Sequence, residues 1–160
     1  MRKPQRFNTQ TFGTLLMMAI LCVGFLIGCQ SKGTKGPIRI SDVWSRPARV
    51  IEDDMGGMGV VYLTIENKGR DADRLLGAES AVADAVELHS AAMEGGMATM
   101  QALKEGVAIP ARGSLELEPG GLHIMLIRLN RHLDEGDSFK VNLLFENAGK
   151  IEIESLVAEK

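Results

Sequence analysis

The run SFKVNLLFENAGKIEIESL, residues 138–156, decides the fold class. In Val141-Asn142-Leu143 and again in Ile151-Glu152-Ile153-Glu154, apolar and polar residues alternate. Period two is that of an extended strand with one face buried and the other wet. Between the two halves, Asn147-Ala148-Gly149 supplies turn chemistry, so the run reads as an antiparallel hairpin. Working outward, the chain from Ile38 onward repeats this theme: short apolar-rich runs broken by Gly, Pro, Asn and Asp. The spacing predicts strands over 38–45, 59–67, 74–79, 85–90, 97–103, 114–118, 122–129, 138–145 and 150–156. No run sustains helical periodicity. About nine strands at such intervals predict an all-β, Greek-key β-sandwich rather than a parallel sheet. Trp44, Tyr62, Phe139 and Phe145 are expected in the core or at its edge, the ordinary use of aromatics.

The N-terminus reads as an address. Arg2, Lys3 and Arg6 form a basic start, and from Thr14 to Ile27 the chain is apolar apart from Thr14 and Gly24. That is the length of a signal-peptide apolar region and short for a membrane span. Leu26-Ile27-Gly28-Cys29 resembles a bacterial lipobox, which implies cleavage before Cys29 and acylation of its thiol. The alternative is an uncleaved anchor helix. Either way the remainder is exported and held at a membrane, facing the periplasm or the cell exterior. The expected organisation is a signal at 1–28, a lipidated Cys29 with a polar tether to residue 37, and one domain at 38–160.

Cysteine use narrows the chemistry. Of the two cysteines, Cys22 leaves with the signal and Cys29 carries lipid. No thiolate remains for a blue-copper, dinuclear electron-transfer or cysteine-type zinc site. Three of the 18 Lys and Arg lie in the signal, so 15 face 21 Asp and Glu and the formal charge falls to −6. That balance argues against nucleic acid and against a basic lipid-binding face. No nucleophile–base pair and no phosphate-binding glycine loop is present, so the chain is not read as an enzyme.

The chemistry-bearing stretch runs from Leu88 to Met125. It holds His89 and His123, two of the three histidines, and Met93, Met97, Met100 and Met125, four of the nine methionines. Imidazole and thioether are neutral donors and the sulfur is soft, a pairing suited to Cu(I). In a strand, His123 and Met125 share a face, and Gly120-Gly121 before them leaves the backbone room to bend. Strand ends meeting at one end of the sandwich would gather His89, Met100, His123 and Met125 around one metal. Met97 and Met100 point to opposite faces, so one of the two serves readily; Met93 is either a further auxiliary donor or a plain loop residue. Met55 and Met58 sit in a Gly-rich stretch as auxiliary donors or plain loop residues, and His132 reads as a surface residue. A methionine is ordinarily a gap-filler in a core, so the alternative is an anchored interaction module that holds no metal.

Several segments resemble the PCu(A)C-type periplasmic copper chaperones. They are Asp42-Val43-Trp44-Ser45-Arg46-Pro47, Tyr62-Leu63-Thr64-Ile65-Glu66-Asn67, Ala72-Asp73-Arg74-Leu75, Val86-Glu87-Leu88-His89, Met93-Glu94-Gly95-Gly96 and Gly120-Gly121-Leu122-His123-Ile124-Met125. The family sets a His, a Met and a His-x-Met pair in one order. Here ten residues separate His89 from Met100 and twenty-two separate Met100 from His123. The resemblance implies a cupredoxin-like sandwich binding Cu(I), and Cu(II) in some members, through His89, Met100, His123 and Met125. It also implies delivery to the copper subunit of cytochrome c oxidase, alongside Sco-like partners. Ser90 departs from members with a donor after the first His, and Met97 is an extra thioether; both leave the third ligand open. Copper buffering without a dedicated client is the competing function.

Overall fold

A computed structural model describes residues 36–51, 56–95 and 97–160 of the chain. The expected signal segment, Cys29, most of the expected tether, Met55 and the side chain of Met93 lie outside the described residues. The described residues form strands β1 (Ile38–Ser45), β2 (Met58–Asn67), β3 (Asp73–Glu79), β4 (Ala83–Glu94) and β5 (Met97–Ala102). They continue with β6 (Val107–Ile109), β7 (Ser114–Leu117), β8 (Leu122–Leu129), β9 (Ser138–Phe145) and β10 (Gly149–Val157). The all-β expectation holds, and three strands match their predicted bounds. The short β6 carries too few residues to announce itself, and β4 runs four residues beyond the expected Ser90.

The strands hydrogen-bond in the order β5-β4-β8-β2-β1-β10-β9-β3-β6, with β7 on β2. The deciding run is the β9–β10 hairpin, in register from Phe145↔Gly149 to Ser138↔Leu156. Gly149 at its turn has φ 73°, the left-handed region that glycine enters without a Cβ clash. β2 divides its second edge: Met58–Val61 pair with β8 and Leu63–Glu66 with β7. The apolar faces of β2, β4 and β8 (Val61, Leu63, Leu88, Ile124, Leu126) meet those of β3 and β9 (Leu75, Val141, Leu143) in one core. The sheet therefore folds over itself as a sandwich.

One irregularity sets the other face. The β1–β2 register shifts between Ser41 and Trp44, where Asp42 adopts φ 52°. Before it, Ile40 opposes Ile65 in the core; after it, Ser45 opposes Val61 in the core and Trp44 opposes Tyr62. A bulge shifts the alternation by one residue. Unbroken alternation would have put Trp44 beside Ile38 and Ile40. Instead, Trp44 and Tyr62 are buried against each other outside the main core, whereas Phe139 and Phe145 belong to it.

Candidate metal centre

β4 lies between β5 and β8, and in register Ala102, His89 and His123 stand side by side. Directly opposed residues share a face. The row continues onto Tyr62 and Trp44, with ring centroids 5.9 Å apart for His89–His123, 6.5 Å for His123–Tyr62 and 4.8 Å for Tyr62–Trp44. Ile124 and Leu126, on the opposite side of β8, are wholly buried in the core. Their burial fixes which way β8 faces and so sends His123 and Met125 to the other side.

Each ring has one nitrogen engaged. His89 Nε2 lies 2.8 Å from Glu87 Oε2, and His123 Nδ1 lies 3.1 Å from the Gly121 carbonyl. An ionised carboxylate and a carbonyl only accept, so those nitrogens carry the protons and donate them. His89 Nδ1 and His123 Nε2 are then bare lone pairs, and both are buried with no hydrogen-bond partner. Buried polar atoms are almost always paired, and two orphans on adjacent rings mark a place for an acceptor of lone pairs. A ligating imidazole ordinarily donates its other N–H in this manner, which locks tautomer and ring angle.

The turn before β8 supplies one of these anchors. Gly120 has φ 81°, and Gly121 N–H donates to the Glu118 carbonyl at 3.1 Å. The Gly121 carbonyl accepts both Ala91 N–H at 3.0 Å and the His123 ring. Thus the glycine pair builds a tight turn whose carbonyl orients the imidazole.

The thioethers approach from opposite corners. Met125 opposes Glu87, which makes it a diagonal neighbour of His89 as well as the residue two along from His123. Met100 opposes Ala91, the other diagonal of His89, and is 57% exposed. Diagonal neighbours lie roughly 7–8 Å apart, within reach of long side chains. Met97 opposes Glu94, on the other face of β5 from Met100, and is 72% exposed. His132 stands apart: its Nδ1 accepts Val50 N–H at 3.0 Å.

One expectation changes in detail: His89 is central in β4 rather than at a strand end, because the β4–β5 hairpin extends the strand to Glu94. His123, the second residue of β8, is only 4% exposed. Glu87, which sequence reading left without a role, was legible in principle, since residues two apart in a strand share a face. Among the described residues, no three His, Cys, Asp or Glu side chains converge. The arrangement suits a soft cation drawing on imidazole and thioether, not a hard ion in a carboxylate cage.

A β-sandwich with facing imidazoles and a His-x-Met strand defines a PCuAC-type domain. Within that class, the chain belongs to the family described as "Putative lipoprotein LpqE-like", whose model matches residues 38–157. It is similar to "Putative lipoprotein Lxx21020" of Leifsonia xyli subsp. xyli, 34% identical over 110 residues, 69% of this chain. The chain spans 63% of that relative's length. The fold is similar to the copper-bound PCuAC domain from PmoF2, with TM-score 0.61 and 24% identity over 78% of this chain and 95% of that one. It is also similar to CuI-DR1885 from Deinococcus radiodurans, with TM-score 0.56 and 27% identity over 76% of this chain and 79% of that one.

Proposed function

We propose that this chain is an exported, lipid-anchored copper carrier that holds Cu(I) between His89 Nδ1 and His123 Nε2, with Met125 and Met100 as thioether donors. One observation carries the reading: two buried, unpartnered ring nitrogens on adjacent strands, each ring oriented through its other nitrogen. The copper-bound relatives and the lipoprotein description of the family support it. The register favours Met100 over Met97 as the second sulfur.

Neutral donors give an intermediate grip. They keep copper from solution, yet a thiolate-bearing acceptor outcompetes them, so transfer by ligand exchange runs downhill. Delivery to the dinuclear copper site of cytochrome c oxidase, with a Sco-like partner, is the client relationship the family resemblance suggests. Acid weakens the grip, because a proton competes for each bare lone pair.

The test is an anaerobic Cu(I) titration of the chain against a chromogenic competitor, comparing wild type with His123→Ala and Met125→Ala. One tight equivalent in wild type, lost in His123→Ala and weakened in Met125→Ala, is expected. Unchanged stoichiometry and affinity in both variants would remove the site. A transfer assay to an oxidase copper domain separates delivery from buffering.

A further inference from the structure

Met58 shares the donor face. It opposes Ile127 on β8, while Met125 opposes Val60 on β2, so Met58 and Met125 are diagonal neighbours. Val61, between Val60 and Tyr62, is wholly buried on the core side, which confirms that Met58 and Val60 face the other way. The soft donors thus form an oblique stripe across four strands: Met100 on β5, His89 on β4, His123 and Met125 on β8, and Met58 on β2. Both ends reach solvent, Met100 at 57% and Met58 at 40% exposure.

The Met58 end has a built mouth. Met58, Val60, Arg46, Pro47 and Ala48 line a cavity of about 180 Å³. Arg46 also lies over the Tyr62 ring, 5.9 Å from its centroid, which holds the guanidinium beside the ring row. A cavity wall that offers one soft sulfur and one cation suits a soft anion, and among protein side chains that is a thiolate.

We propose that Met58 and Arg46 form an exit port, where a cysteine thiolate of the copper acceptor enters and receives Cu(I) from Met125 by way of Met58. The inference rests on the copper-carrier reading. Arg46 attracts the thiolate, whose proton has already gone to solvent. Met58 sulfur binds Cu(I) as the bonds from copper to His89, His123 and Met100 break. Bonds to the thiolate and a second donor of the acceptor then form as the Met125–copper and Met58–copper bonds break. Copper stays Cu(I) throughout, so no oxidant or reductant is consumed.

The experiment uses the full-length chain in detergent, loaded with one Cu(I) and mixed anaerobically with excess glutathione as the thiolate probe. Transfer is followed by stopped flow for wild type, Met58→Leu and Arg46→Gln. Met58→Leu keeps size and apolarity at a partly exposed position, so the fold is retained. Transfer is expected to slow several-fold in Met58→Leu, by more than any change in its equilibrium Cu(I) affinity. In Arg46→Gln it slows by roughly tenfold at low salt and loses most of its salt dependence. A second readout is the Met methyl NMR spectrum during sub-stoichiometric Ag(I) addition, in which the Met58 signal moves together with that of Met125. Wild-type rates in both variants, or a Met58 methyl that ignores Ag(I), would overturn the port while leaving the carrier intact. Failure of wild type to retain Cu(I) at all would overturn the carrier and the port together.

Discussion

Glu87 precedes His89 by two residues, and its carboxylate takes the proton-bearing nitrogen of that ring. Replacing it by Ala leaves the imidazole free to change tautomer and to turn its lone pair away from His123. Outer partners of this kind ordinarily carry about 10–100-fold in metal affinity. Glu87→Ala is therefore expected to weaken Cu(I) binding by roughly that factor, and Glu87→Gln, which keeps an acceptor oxygen, by less. A competition titration reads both, and equal affinity in Glu87→Ala and wild type would show that the carboxylate orients nothing. At this scale, the residue types were legible: His89, His123 and the nearby methionines stand out in the sequence as soft, neutral donors. What selects the reactive nitrogen was not, because a hydrogen-bond partner is a matter of register and rotamer rather than of composition.

Among the elements, β1 carries a decision invisible to periodicity. Its sequence reads as one strand over 38–45, and its bounds are as expected, yet the face presented changes partway along. The bulge at Asp42 needs a left-handed backbone, which Asp tolerates and a β-branched residue does not. Asp42→Val is expected to destabilise the domain by about 1–2 kcal/mol. It should also shift the emission of Trp44, the sole tryptophan, as that ring leaves Tyr62. Asp42→Gly should preserve both stability and emission. Urea unfolding followed by tryptophan fluorescence checks the set, and a Val variant as stable as wild type would mean the bulge is not needed. The contrast with β9 and β10 is instructive: there the alternation runs unbroken across the hairpin, so strand, register and buried face could all be read from residues 138–156.

For the whole molecule, the metal would act as a cross-link that cysteine does not supply. The two cysteines lie at positions 22 and 29, before the domain, while the proposed ligands come from β4, β5 and β8. β5 ends the strand order and has β4 as its one neighbour there, so a bond from Met100 to the histidines ties an edge to the interior of the sheet. A ligand that binds only the folded state adds about 2.7 kcal/mol at a free concentration a hundredfold above its dissociation constant. For a domain of this size, that corresponds to a rise in melting temperature of roughly 5–15 °C. Anaerobic Cu(I) should produce this shift in wild type, a smaller one in Met100→Leu and none in His89→Ala, with a strong Cu(I) chelator returning wild type to the metal-free value. Met97→Leu should behave as wild type, because its side of β5 faces away from the histidines. A Met97 variant that lost the shift while Met100→Leu kept it would reverse the assignment of the second sulfur and, with it, the β4–β5 register on which the proposed centre is built.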